Sequence, residues 1–133
     1  MSLRKISLPY GRETVEVSIP THQLIGAYSP QDIAPVADVG AEVRRALVNP
    51  IGSASLQELV RGKTNVVIVA DDNTRLTPTE QIIPILLDEC NLAGVSDDRI
   101  TLVIALGTHR FMTDSEIMAK FGEETVRRIP PQC

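Results

Sequence analysis

Apolar and polar residues alternate over residues 4–9 (RKISLP) and again over 13–19 (ETVEVSI), with Pro9-Tyr10-Gly11 between the runs. Period two marks a strand with one buried face, so the pair predicts a β-hairpin. Residues 20–38 are rich in turn formers and read as irregular. Over 38–48 the pattern changes: Val39, Val43, Ala46 and Leu47 fall at helical spacing, and Asn49-Pro50 ends the run. A shorter helix is predicted from Ser53 to Arg61, with Leu56, Leu59 and Val60 on one face and Gly62 at its C′ position.

The run NVVIVA (65–70) is short, continuous and β-branched, the pattern of a strand buried on both faces of a parallel sheet. Thr77-Pro78-Thr79-Glu80 then reads as a capping box, with Thr77 as N-cap, opening a helix striped by Ile82, Ile83, Leu86, Leu87 and Cys90. Pro84 inside it should kink the helix or shift its start, and Gly94 closes it. RITLVIAL (99–106) predicts a second buried strand, and Thr113-Asp114-Ser115-Glu116 a second capping box. The helix that follows packs through Ile117, Met118 and Phe121 and ends at Gly122. Strand, helix and strand over 65–106 make a unit with parallel strands and a right-handed crossover. The expected class is α/β: a Rossmann-like parallel sheet flanked by helices, with an N-terminal β-hairpin. Ligands of open α/β sheets bind beyond the carboxyl ends of the strands. The segments DDNTR (71–75) and GTHR (107–110) therefore fall side by side at the ligand edge.

Composition narrows the partners. The chain has 133 residues, the size of one domain, with 43% hydrophobic and 23% charged residues. A net charge of −4 argues against a basic nucleic-acid-binding face, and 3% aromatics without Trp argue against base-stacking platforms. No stretch approaches the roughly 18 apolar residues of a membrane helix, and no signal peptide is visible. Cys90 and Cys133 lack partners at zinc spacing and read as free thiols in a reducing cytoplasm. The terminal RRIPPQC resembles a linker more than a capped end, so residues 1–133 are expected to form the N-terminal part of a longer, two-domain chain.

Several motifs fail on inspection. Gly62-Lys63-Thr64 looks like the end of a phosphate-binding loop, but Gln57 stands where its first Gly belongs, and the segment precedes a strand instead of following one. ADDNT resembles the Asp-x-Asp-x-Thr of aspartyl phosphatases, but Ala70 occupies the nucleophile position. Asp71, Asp72 and His109 could serve a metal, although no paired histidines support one. The bland alternative is that the aspartates only shape a turn. Arg75 lies just before a helix N-terminus, where the backbone already favours anions, and its planar fork suits a carboxylate or phosphate. The alternative there is a surface ion pair worth about 1 kcal/mol or less. His109 follows Gly107 in a loop; it is either an acid/base group, since imidazoles titrate close to neutral pH, or a solvated loop residue. His22, in the irregular segment, takes the bland reading.

Asp72-x-Thr74-Arg75 and Gly107-x-His109-Arg110, with LPYG and NPIGSASLQELVRGK upstream, resemble the nickel-pincer-nucleotide-dependent lactate racemase family from about Leu8 to Glu124. The resemblance implies an isomerase that racemises or epimerises 2-hydroxy acids by moving a hydride from Cα to a nickel-pincer nucleotide and back. That cofactor is nickel–pyridinium-3,5-bisthiocarboxylic acid mononucleotide. By the same resemblance His109 is one of two acid/base histidines, Arg75 holds the substrate carboxylate, Asp72 is a neighbouring catalytic carboxylate, and Thr74 faces the cofactor. The second histidine, the lysine that anchors the cofactor and the nickel-ligating histidine fall beyond residue 133, so no metal ligand is assigned in this chain. Its partners would be the substrate and the C-terminal domain of the same protein, and alone it should be inactive. Family members carry His where Asn73 stands and a Phe-like residue where Thr108 stands. Both positions are expected to line the site, which makes a larger or more polar 2-hydroxy acid plausible beside lactate. Two other readings stay open: a non-catalytic module binding a small carboxylate, and a metal-dependent hydrolase using Asp71, Asp72 and His109.

Overall fold

The computed structural model describes residues 2–133, which cluster into two compact units, one ending at Pro35 and the other running from Val36 to Cys133. The first holds an antiparallel hairpin of β1 (Leu3–Tyr10) and β2 (Glu13–Pro20), in register from Leu3↔Pro20 to Tyr10↔Glu13. The strands run through Pro9 and Tyr10, so the reversal falls at Gly11-Arg12, one to two residues later than the sequence pattern places it. Gly11 takes φ 61° there. Ile6, Leu8, Val15 and Val17 share one face through the pairs Ile6↔Val17 and Leu8↔Val15. The expected buried face is not realised: Leu8, Val15 and Val17 are exposed and Ile6 only half-buried. Two strands alone have too little surface to cover such a stripe.

The second unit is the α/β part. Its elements are α1 (Val39–Val48), α2 (Leu56–Val60), β3 (Val66–Asp71), α3 (Thr79–Leu92), β4 (Ile100–Ala105) and α4 (Asp114–Arg128). Asp38 caps α1 by accepting from Ala41 N. Helix α2 is shorter than predicted because Ser55, in a reciprocal capping box with Glu58, starts it. β3 and β4 pair in parallel from Val66↔Ile100 to Asp71↔Ala105. The segment after α4 returns to the same sheet: Gln132 bridges Val103, with Ile104 N donating to Gln132 O and Gln132 N to Leu102 O, both at 2.8 Å. Pro130-Pro131-Gln132 thus extends the parallel sheet where the composition suggests a linker.

Helix α3 packs against α1, α2 and α4. Leu87, Leu102 and Phe121 are wholly buried beside Cys90 and Val95. Each large apolar side chain so buried contributes about 1.5–3 kcal/mol. The inner sheet face is made by Ile68, Ala70, Ile100, Leu102 and Ile104. Burial of β3 on both faces is not found, since Val67 and Val69 on the outer face are 59% and 66% exposed. Helix α3 runs through Pro84. The predicted Thr77 cap is absent: Pro78 is the N-cap residue and no side chain caps the helix, because the Thr77 hydroxyl donates to Asp71 Oδ2. The Thr113–Glu116 capping box forms as predicted. Gly122 breaks helical geometry (φ 77°, ψ 158°), and a second helical stretch continues to Arg128.

Candidate functional site

The loops after β3 and β4 meet at the carboxyl ends of the two strands, around a cleft of about 370 Å³ lined by Asp71, Asp72, Arg75, Gly107, Thr108 and His109, with Ala105 and Leu106. The parallel register sets this up, because Asp71 pairs with Ala105 and the next residues of both chains diverge into loops. The structure therefore brings Asp72, Arg75 and His109 to one opening. Of the two departures from the family pattern, Thr108 lines the cleft. Asn73 does not: its Nδ2 donates to Glu116 Oε1 at 3.1 Å.

Asp72 organises the site. Its residue is 3% exposed. Oδ1 accepts from Thr74 N at 3.1 Å and from Thr74 Oγ1 at 2.6 Å, and Oδ2 meets His109 Nδ1 at 2.5 Å. The Thr74 hydroxyl first, and the His109 ring second, outweigh burial and lower the Asp72 pKa to about 2. At neutral pH the carboxylate can only accept, so Nδ1 of His109 carries the proton and donates it. In the neutral ring Nε2 then holds the lone pair, on a side chain that is 49% exposed. A carboxylate bound to the far nitrogen orients the ring and supports an imidazolium once a proton arrives. Thr74, expected to face the cofactor, donates its hydroxyl proton to Asp72.

Arg75 is exposed, and among the described residues no carboxylate pairs with its guanidinium. A surface ion pair, the bland alternative, is therefore not what it forms. Asp71 behaves differently from its neighbour. Burial favours its neutral form, but the Thr77 hydroxyl and the Lys120 ammonium, which lies 3.0 Å from Oδ1, together hold its pKa low. The two aspartates thus face separate partners. Among the described residues no group of three or more His, Cys, Asp or Glu side chains is arranged to hold a metal ion. That geometry does not favour the hydrolase reading of Asp71, Asp72 and His109.

Two contributors were not assigned from the sequence. Glu116, read only as a cap, accepts from Arg110 Nη1 and Nη2 at 2.8 and 2.7 Å, and joins that loop to Asn73. Arg110 and then the Thr113 backbone lower the Glu116 pKa to about 2. The other is Lys120, 7% exposed, whose Nζ reaches the Arg75 loop. A lysine three residues after Ile117 and beside Phe121, on the stripe that packs the helix, is the signal that could have found it.

The parallel α/β unit thus presents an oriented imidazole and, among the described residues, an unpaired guanidinium beyond its strand ends. Its sequence matches the family described as lactate racemase N-terminal domain over residues 10–133, and the chain belongs to that family. It is 36% identical over 126 residues to a lactate racemase of Thermoanaerobacterium thermosaccharolyticum, covering 93% of this chain and 29% of that protein. To the lactate racemase of Lactiplantibacillus plantarum it is 39% identical over 124 residues, covering 91% of this chain and 29% of that one. The structure of the lactate racemase apoprotein from T. thermosaccharolyticum superposes with a TM-score of 0.72 at 34% identity, over 96% of this chain and 29% of the other. The chain thus spans under a third of the length of the curated relatives it matches. No helix among the described residues is long and apolar enough to cross a membrane.

Proposed function

We propose that residues 1–133 are the N-terminal catalytic domain of a longer two-domain racemase or epimerase acting on lactate or a related 2-hydroxy acid. The observation that carries this reading is the Asp72–His109 pair opening onto the same cleft as an unpaired Arg75. A 2-hydroxy acid offers a carboxylate and a hydroxyl on adjacent carbons. Arg75 suits the first through a planar, bidentate fork. His109 Nε2 suits the second, taking the hydroxyl proton as the carbon is oxidised and returning it on reduction. Asp72 acts through His109, fixing its tautomer and stabilising the imidazolium, and Thr74 fixes Asp72.

Among the described residues Asp71 is engaged by Lys120 and Thr77 and Asp72 by Thr74 and His109, which supports a nickel ligand set outside this chain. The nickel-pincer nucleotide would be anchored by residues outside this chain, and the chemistry it supplies when bound is reversible acceptance of the Cα hydride. This chain contributes the anion-holding and proton-transferring wall, and by itself should not turn over. The C-terminal domain of the same protein would complete the cleft. We place the protein in the cytoplasm, a reading supported by the unpaired thiols of Cys90 and Cys133.

The test is interconversion of L- and D-lactate, and of larger 2-hydroxy acids, by the longer protein loaded with cofactor. His109→Ala should abolish interconversion. Arg75→Ala should raise KM by about 100-fold or more through loss of the carboxylate contact. Full activity of either variant removes the role assigned to that residue. The binding-module alternative predicts carboxylate binding without interconversion even in the unsubstituted protein.

A further inference from the structure

Lys120 lies on α4, outside both site loops, and its side chain is only 6% exposed. Its ammonium is turned toward the loop after β3. Nζ donates to Arg75 O at 2.9 Å and to Thr77 O at 3.0 Å, and Asp71 Oδ1 lies 3.0 Å away. The two carbonyls and the ion-paired carboxylate all belong to residues 71–77. A return tie runs from Thr79 Oγ1 to the carbonyl of Lys120 itself at 3.0 Å. A compact ammonium with rotatable, non-planar donors can serve both carbonyls while its charge sits against the Asp71 carboxylate, an arrangement the flat fork of a guanidinium or an amide suits less well. Packing alone would not select it: Ile117 and Phe121 flank the position, and an apolar side chain would fill that volume without desolvating a charge.

The Arg75 side chain has no partner of its own among the described residues, so its backbone sets where the guanidinium starts from. That backbone is held by the Arg75 N to Asp72 O bond at 3.2 Å and by Lys120 on the carbonyl side. We propose that Lys120 is a positioning residue for the substrate, fixing the Arg75–Thr77 backbone so that the guanidinium meets the carboxylate of a 2-hydroxy acid without first ordering the loop. The inference rests on the proposed role of Arg75 and extends it to a residue that touches no substrate. It predicts a particular kinetic signature. A disordered anion fork weakens ground state and transition state alike, so KM rises while kcat stays. A lysine that only kept the domain folded would instead lower the active fraction, which lowers apparent kcat and leaves KM unchanged.

Two measurements decide it, on Lys120→Met and Lys120→Arg. In the 133-residue chain, amide hydrogen exchange at Arg75 should quicken about tenfold or more in Lys120→Met, with the amides of Leu87 and Leu102 unchanged. In the longer, cofactor-loaded protein, KM for lactate should rise about tenfold with kcat within about twofold, and Lys120→Arg should recover part of the loss. Unchanged exchange at Arg75 overturns the proposal, as does a fall in kcat at constant KM. Should Lys120→Met fail to fold, Lys120→Met combined with Asp71→Asn removes both charges, and the same exchange and KM changes are expected. Absence of lactate interconversion in the unsubstituted protein would reject the racemase reading separately. The exchange result would still decide whether Lys120 holds the Arg75 loop.

Discussion

Asp71 and Asp72 are chemically identical neighbours with different duties, and the difference comes from what each meets. Asp71 is held in its charged form by Thr77 and Lys120, partners that shape a loop. Asp72 is nearly buried and spends one oxygen on Thr74 and the other on His109. Its pKa of about 2 lies below the ordinary 3.8. A folded-state pKa below the unfolded one contributes stability that is present above about pH 3.8 and lost as the pH falls toward 2. Urea unfolding of the 133-residue chain should therefore show declining stability across that interval, and Asp72→Asn should flatten the decline. In the active protein, Asp72→Asn keeps the shape but no longer demands a proton on Nδ1. The amide can donate to that nitrogen, the ring proton moves to Nε2, and the base is lost. We expect kcat to fall by a factor on the order of 10³–10⁴, with nitrogen NMR of His109 showing the changed tautomer. An unchanged tautomer would remove Asp72 as its determinant.

At the scale of elements, the sequence is legible where one local interaction decides and silent where a competing partner decides. The Thr113–Glu116 box formed because the other donors to Glu116, from Arg110 and Asn73, leave its bonds with Thr113 in place, and Thr113→Ala should destabilise the domain by about 1 kcal/mol in chemical unfolding. Thr77-Pro78-Thr79-Glu80 has the same signature but no cap, because Asp71 takes the Thr77 hydroxyl, a contact across six positions that local pattern does not contain. The parallel pairing of β3 with β4 and the meeting of DDNTR with GTHR were legible, since a buried strand–helix–strand unit admits few arrangements. The roles of Glu116 and Lys120 were not, since both depend on α4 lying against the other loop. Gly122 was read as a terminus and is a kink within α4. Its φ of 77° with ψ of 158° is a region open essentially to Gly, and an added Cβ would stand 3.3 Å from Glu80 Cβ. Gly122→Ala should cost about 1–3 kcal/mol in chemical unfolding. A neutral result would mean that the kink relaxes.

At the scale of the molecule, the largest departure from the pattern is the outer face of the sheet. A run of β-branched residues predicts burial on both sides, yet only the side facing α3 and α4 is covered, and Val67 and Val69 stand open. The curated relatives are more than three times as long as this chain, which covers 29% of them. If the continuous apolar run was shaped for a covered face, the cover is not supplied by the unit that holds the sheet. A paired substitution separates that from an incidental pattern. In the 133-residue chain, Val69→Lys should change stability by no more than about 0.5 kcal/mol, because the position is 66% exposed. Leu102→Ala, at 0% exposed on the opposite face, should cost about 2–5 kcal/mol in the same unfolding assay. In the longer protein the Leu102→Ala cost should stay in that range, while Val69→Lys should become destabilising by several kcal/mol, since burying an unpaired ammonium is opposed by its lost hydration. Equal and negligible effects of Val69→Lys in both would show that the outer face stays in water and that its valines serve strand propensity alone.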